Sequence, residues 1–338
     1  MGRRRDTIGP MRILITGGAG FIGSHVLEHL LHQGHALCVV DDLSSGRTEH
    51  VPRAVPLHMA DITGAGVERI IADFAPEAIV HLAAQMDVRA STLDPLFDAK
   101  VNVLGTVRLL QAAVHHGVKT FVLASSGGAA YGDAPHIPST EATPTAPMSP
   151  YGASKVCDEI YLEAFCRAHP LRGVALRFGN VYGPRQNSAG EAGVVAIFSG
   201  AMLAGRTPMI YGDGLQTRDY VYVGDVAQAV GCALAHDSAR GAINIGTGVG
   251  TPLTDLAQSI RKLTGYTGPV MHAAPRAQEV RHSALDSNHA QAIMGWSAQT
   301  ALQEGLQRTV AHLQTTLEPA VAVPLPSTVP AGAQSRDS

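Results

Sequence analysis

The chain has little excess charge, few aromatic residues and no long apolar run, and each lack narrows what it is. The 25 Lys and Arg stand against 28 Asp and Glu, a formal net charge of −3. That balance leaves no broad positive surface for a nucleic-acid backbone. The basic run Arg3-Arg4-Arg5 precedes Met11, in a stretch over residues 1–10 that reads as a disordered extension. No leader-like or membrane-spanning apolar segment follows it, because Ile13-Leu14-Ile15 runs straight into glycines. The expectation is a cytoplasmic protein with no membrane partner. Cys38, Cys157, Cys166 and Cys232 make no Cys-x-x-Cys pair and suit no zinc site, so they read as reduced thiols. The 16 histidines are scattered. His115-His116 reads as the polar end of a helix, and no metal is expected.

What is present is an alternation. At 338 residues the chain suits one large domain or two lobes sharing a cleft. Apolar runs over residues 12–16, 36–40, 56–61 and 78–82 read as buried strands. Helical spacing separates them over 24–31, which Gly34 stops, and over 67–74. Continuous apolar strands alternating with helices predict a parallel sheet covered on both faces. A long helix is expected over 99–116, with Val101, Leu104, Val107 and Leu110 as its stripe. A strand over 120–124 ends at Ser125-Ser126, and a helix over 150–168 and a strand over 173–177 follow. Beyond that the pattern loosens into glycine and proline loops, a helix over 194–204 and short strands over 208–211 and 242–245. The expected fold class is α/β, a Rossmann doubly wound parallel sheet with a smaller mixed α/β lobe. The expected division is a dinucleotide-binding lobe over 11–177 and a second lobe over 178–315, with some strand crossing between them. A disordered tail is expected over 316–338, where periodicity ends.

Two features carry chemistry. The first is Thr16-Gly17-Gly18-Ala19-Gly20-Phe21-Ile22-Gly23, between a strand and a helix. Gly17 permits the tight turn, Gly20 lets backbone approach phosphate, and Gly23 lets helix pack on strand. Asp41 closes the next strand at the spacing of the acid that grips an adenosine ribose; a carboxylate there favours NAD over NADP, although Arg47 is close by. Asp61-Ile62 after the third strand holds the adenine edge or simply caps a helix. The second feature is Tyr151-Gly152-Ala153-Ser154-Lys155. A Tyr and a Lys four apart share one helix face. A free phenol titrates near ~10, too high for a base at neutral pH. A neighbouring ammonium and a positive nicotinamide both favour phenolate.

The glycine turn, Asp41-Asp42-Leu43-Ser44, His81-Leu82-Ala83-Ala84-Gln85, Tyr151-x-x-x-Lys155, Asn180-Val181-Tyr182-Gly183-Pro184 and Arg218-Asp219-Tyr220 stand in the order seen in extended short-chain dehydrogenase/reductases. Over residues 11–315 the chain resembles the NAD-dependent sugar-nucleotide epimerases and dehydratases of that family. Its Ser125–Gly132 stretch is most similar to UDP-glucose 4-epimerases. The resemblance implies that Tyr151 is the acid/base at the sugar 4-hydroxyl, and that Lys155 holds the nicotinamide ribose and lowers the Tyr pKa. It implies that Gly17, Gly20, Phe21, Ile22, Gly23, Asp41, Asp42, Ser44, Asp61, Ile62, Leu82, Ala83, Ala84 and Gln85 line bound NAD. Asn180 would contact the substrate diphosphate, and Arg218 and Arg276 would hold the nucleotide end. The chain departs from the family at Gly127, where a Ser or Thr is usual. Ser125 or Ser126, or a water, would then bridge the sugar hydroxyl and Tyr151.

A dehydratase or a decarboxylase of this family needs carboxyl groups just before Tyr131-Gly132, where this chain has Gly128, Ala129 and Ala130. Reversible oxidation at C4 is what remains. UDP-glucose/UDP-galactose is the first expected substrate pair. UDP-glucuronate/UDP-galacturonate is the alternative, with the Ser125–Gly128 loop and Arg185 near enough in sequence to meet a carboxylate. Ser283 falls where residue size gates larger substrates, and a small side chain there would admit a 2-acetamido group. A nucleotide-sugar reductase and a non-catalytic NAD-sensing protein are the competing classes; the second is expected to lose the Tyr-x-x-x-Lys pair. The apolar stripes of helices 99–116 and 150–168 suit a homodimer, or else the core.

Overall fold

The computed structural model describes residues 9–188, 193–276 and 279–316. The expected N-terminal extension and C-terminal tail lie outside the described residues, apart from residues 9, 10 and 316. In the first half, strands β1 (Arg12–Thr16), β2 (Ala36–Asp41), β3 (Leu57–Met59), β4 (Ala78–His81), β5 (Thr120–Ser126) and β6 (Arg172–Phe178) alternate with helices. These are α1 (Phe21–His32), α2 (Gly66–Phe74), the short α3 (Val88–Leu93) and α4 (Pro95–Ala99), α5 (Gly105–His115), the one-turn α6 (Gly127–Ala130) and α7 (Pro150–Ala168). There follow β7 (Asn180–Tyr182), α8 (Val194–Leu203), β8 (Met209–Tyr211), β9 (Thr217–Tyr222), α9 (Val223–Ala235), β10 (Gly241–Ile245) and β11 (Gly250–Pro252). The last elements are α10 (Leu253–Thr264), β12 (Met271–Ala273), α11 (Asn288–Met294) and α12 (Leu302–Thr316).

Seven strands form one parallel sheet in the order β10-β6-β5-β4-β1-β2-β3. The order reverses between β1 and β4, which opens a crevice at the carboxyl ends of those strands. α1 and α9 cover one face through Val26, Leu27, Leu30, Val226 and Val230. α2, α5 and α7 cover the other through Ile71, Leu109, Leu110 and Leu162. Strand burial is nearly unbroken, as in a sheet shielded on both sides. Two small sheets, β11-β9-β7 and β12-β8, carry the second lobe, whose core joins Phe198, Tyr220, Tyr222, Leu256 and Leu306. The strand expected to cross is β10, which pairs with β6 along Gly241–Ile245.

The helix expected over 99–116 is interrupted by a π-helical stretch, Lys100–Leu104. The extra residue turns Asn102 inward, where its side-chain amide donates to Gln85 O and Asp98 and its oxygen accepts from Gln85 N. Such bulges accompany functional sites, and this one braces the segment that follows β4. Gly105 resumes the α-helix where a Cβ would fall 2.7 Å from Ile62 Cδ1.

Candidate active site

The glycine turn follows from steric need. Gly17 has φ +70°, and a Cβ there would fall 2.6 Å from Ala83 N. At Gly23 a Cβ would lie 2.0 Å from Gly17 O, so only glycine lets α1 pack against the turn. α1 starts with no side-chain cap and no acid in its first turn, so its leading amides and positive dipole end are free for an anion. This cradle fits a dinucleotide pyrophosphate. Phe21 and Ile22 form the first turn of α1, and Leu82, Ala83 and Ala84 pass across the crevice after β4 as half-buried residues.

Several expected cofactor contacts are already engaged within the protein. Asp41 is buried; its carboxylate accepts hydrogen bonds from Ala19 N and Leu43 N, both at 2.9 Å, and so pins the turn to the end of β2. Burial raises its pKa, against those two amides. Asp42 is exposed and accepts from the Ser44 amide and hydroxyl. Asp61 is exposed and accepts from the Thr63 amide and hydroxyl in a local turn. Ile62 packs its side chain in the core with Leu14, Ile71 and Leu109. The Gln85 amide donates to Asp98 and to Asp87 O, and so holds the loop.

α7 begins where the sequence punctuates it. Ser149 caps it by accepting from Gly152 N at 3.1 Å, and Pro150 occupies the first turn. This sets Tyr151 in the first turn and Lys155 one turn on. Lys155 is 3 % exposed. Burial pushes the Tyr151 phenol up, while the Lys155 charge and a hydrogen bond with the Ser126 side chain pull it down. The resolved choice between neighbouring serines follows from strand alternation. Ser126 meets Tyr151, whereas Ser125 faces the other side and donates to Glu159 at 2.5 Å. Glu159 is in turn held by a two-pronged contact from Arg177. Ser125 is therefore engaged by Glu159 in the wall of the site.

Asn180 opens β7 beside α6, its Oδ1 3.4 Å from where a Gly128 Cβ would be. Arg218 pairs with Glu279 at 3.1 Å, and Arg276 lies over the Tyr211 ring at 4.1 Å from its centroid. Tyr211, Gln216, Arg276 and Glu279 line a cavity of about 160 Å³. Arg185 does not join them. Its guanidinium pairs with Glu28 of α1 at 2.6 Å through Nη2, while its Nη1 has no hydrogen-bond partner. Elsewhere, Glu68, His115 and His116 bring one ligand atom each within 4.8 Å of one another on the outer ends of α2 and α5.

Sequence reasoning assigned no role to the buried chain behind the crevice. His81 is 1 % exposed, with Nδ1 2.7 Å from Thr16 Oγ1 and Nε2 2.9 Å from Thr106 Oγ1. Burial pushes its pKa down to about 3, so it is neutral. The signal was a polar residue closing the otherwise apolar run of β4.

Comparison with known proteins shows the family and the fold. Residues 13–246 match the NAD dependent epimerase/dehydratase family. The chain belongs to that family. The UDP-glucose 4-epimerase of Mycolicibacterium smegmatis is 46% identical to this epimerase/dehydratase over 305 residues, 89% of this chain and 97% of that one. The crystal structure of the Thermotoga maritima UDP-glucose 4-epimerase with UDP-glucose is 44% identical, with a TM-score of 0.88 over 91% of this chain and 100% of that one. That of the Thermus thermophilus UDP-glucose 4-epimerase in complex with NAD is 42% identical, with a TM-score of 0.87 and the same coverage.

Proposed function

We propose that this protein is a UDP-hexose 4-epimerase interconverting UDP-glucose and UDP-galactose. The carrying observation is the Tyr151–Ser126–Lys155 cluster at the crevice mouth, beside a Gly128-Ala129-Ala130 stretch that carries nothing to protonate or deprotonate. Burial holds the Tyr151 phenol above its ordinary value and the Lys155 ammonium works against that rise; Tyr151 takes the proton of the sugar 4-hydroxyl and later returns it. Ser126 shares a hydrogen bond with the phenol and orients it. Bound NAD supplies reversible hydride acceptance at C4. Presenting the other face of the 4-keto sugar inverts the centre, and no outside redox partner is needed.

The rest of the site serves orientation. α1's amides hold the pyrophosphate of the cofactor, and Asp41 presents its remaining lone pairs to the adenosine ribose. Asn180 meets the substrate diphosphate. Arg218 and the Arg276–Tyr211 pair hold the nucleotide end, where a planar guanidinium on an aromatic face suits a base and its phosphates. UDP-glucuronate/UDP-galacturonate is the alternative pair, since Arg185 pairs with Glu28 through Nη2 and leaves Nη1 without a partner.

The protein works as a homodimer in the cytoplasm. Leu93, Leu96, Phe97, Leu104, Ile160 and Tyr161 are exposed apolar residues on one side of α3, α4, the π-helical stretch and α7, and a monomer seldom leaves such a patch bare. All four cysteines are free, and no described helix is long and apolar enough to cross a membrane. The test is incubation with a panel of UDP-sugars, including UDP-glucuronate and UDP-N-acetylglucosamine, with epimer ratios read by NMR. UDP-glucose and UDP-galactose should interconvert without net NADH. Tyr151→Phe should abolish turnover; full turnover in that variant removes the reading.

A further inference from the structure

One turn after Lys155, the same helix face carries a second buried charge. Asp158 is 0 % exposed, and its Oδ2 is 3.4 Å from Lys155 Nζ. Its other oxygen, Oδ1, has no hydrogen-bond partner. A buried carboxylate with an orphan oxygen is a poor stabiliser, since desolvation outweighs a single ionic contact. An apolar or small residue would fill the position at less cost to folding. The carboxylate therefore calls for another explanation.

The neighbourhood supplies one. The Thr106 hydroxyl interacts with the Asp158 carboxylate. Thr106 also contacts His81, His81 contacts Thr16, and Thr16 Oγ1 accepts from Ala83 N at 3.3 Å. With His81 neutral, one assignment of hydrogens satisfies every link. Ala83 N–H donates to Thr16, Thr16 to His81 Nδ1 and His81 Nε2–H to Thr106, which leaves the Thr106 hydroxyl proton to interact with the Asp158 carboxylate. The chain is polar from end to end and joins the Lys155 counter-ion to the backbone on which the cofactor rests. The charged and titratable groups around it are Lys155 and Tyr151 on α7, Asp98 on α4 and His81 on β4.

We propose that Asp158 is a positioning residue for the proton transfer: by holding the Lys155 ammonium it sets how much of that charge reaches the Tyr151 phenol. The proposal rests on the acid/base role of Tyr151 given above. One of the three ammonium donors goes to Asp158, which leaves two for the phenol side and the cofactor ribose. The negative charge of Asp158 also acts on Tyr151 directly and raises its pKa. Lys155 and Asp158 thus oppose each other at the phenol. Burial pushes the Asp158 carboxyl up to about 6, so the brake is complete above neutral pH and released in mild acid.

The test reads the phenol itself. NAD-loaded enzyme is titrated by phenolate absorbance, and subtracting the Tyr151→Phe titration isolates Tyr151 from the other tyrosines. Asp158→Asn should lower the Tyr151 pKa by about one unit and move the lower pH limb of kcat down equally, as expected for loss of one nearby like charge. Thr106→Val keeps the shape and removes one stabiliser of the carboxylate, so it should shift both in the same direction by less. If both variants bind NAD and neither moves the phenol titration, Asp158 is structural only. A purely structural role would lower kcat at every pH and leave the limb in place. Turnover surviving in Tyr151→Phe would instead refute the acid/base role, whatever the titration shows.

Discussion

Leu285 fills the space that a side chain at Gly127 would need. A Cβ on Gly127 would lie 2.6 Å from Leu285 Cδ1 and 2.7 Å from Cδ2. Leu285 is fully buried, and its amide is fixed by a 3.1 Å bond to Asp219, itself 0 % exposed. The departure from the family's usual Ser or Thr thus has a partner across the lobe boundary, and Ser126, one residue earlier, supplies the hydroxyl at Tyr151.

Gly127→Ser should therefore be destabilising. Overpacking of this kind costs about 1–3 kcal/mol, read as a lower denaturation midpoint. Leu285→Ala should lower stability alone by opening a cavity. Combined with Gly127→Ser it should recover part of both losses, because the two share one space. Strict additivity in the double variant would show that they do not compete.

Much of this site was legible before any coordinates. The glycines at 17 and 23 stand where only glycine fits, and the helix expected from residue 150 starts there. What failed to be legible depends on contacts between distant segments. Nothing local shows that Arg185 meets Glu28, 157 residues away. Ser125 and Ser126 are alike as letters, and only the direction of β5 decides which faces Tyr151. The break at 100–104 was hidden because a π-helical stretch keeps apolar spacing while shifting its phase. Asp158 reads as a surface acid on a helix until its face is known.

Two buried groups should give opposite pH dependences of stability. His81 is pushed down to about 3 in the folded chain. The unfolded chain takes up its proton near ~6.5, so His81 favours folding fully above that and loses the contribution as pH falls. Asp158 is pushed up to about 6. Its unfolded value is near ~3.9, so it opposes folding above pH 6 and is relieved as pH falls. Each slope is at most about 1.4 kcal/mol per pH unit. Between pH 6 and 4 they offset one another. Denaturant midpoints should fall more steeply with acid in Asp158→Asn than in wild type, and less steeply in His81→Asn. The same slope in all three would remove His81 and Asp158 as the sources.

Arg276→Ala should weaken substrate binding without disturbing the chemistry. The guanidinium sits 4.1 Å over the Tyr211 ring, at the cavity assigned to the nucleotide end. A contact of about 1–2 kcal/mol corresponds to a rise in KM of roughly tenfold. The value of kcat should change little, because nothing at Tyr151 or Lys155 moves. A large fall in kcat with constant KM would place Arg276 in the chemical step instead.

The exposed apolar face lies directly behind the catalytic helix. Leu96 is 82% exposed and Phe97 51% exposed on α4, while Asp98 on that same helix bonds Ser154 of α7, the residue before Lys155. A partner covering α4 would therefore stiffen the helix that presents Tyr151. If the proposed homodimer is built on this face, Leu96→Glu with Phe97→Glu should turn a dimer into a monomer in sedimentation velocity, since two charges placed in an apolar contact oppose association strongly. The monomer should keep its fold by circular dichroism, because both side chains are already in water. Its kcat should fall, as α4 and α7 lose their outer support. A dimer that survives both charges would move the interface to another face of the molecule.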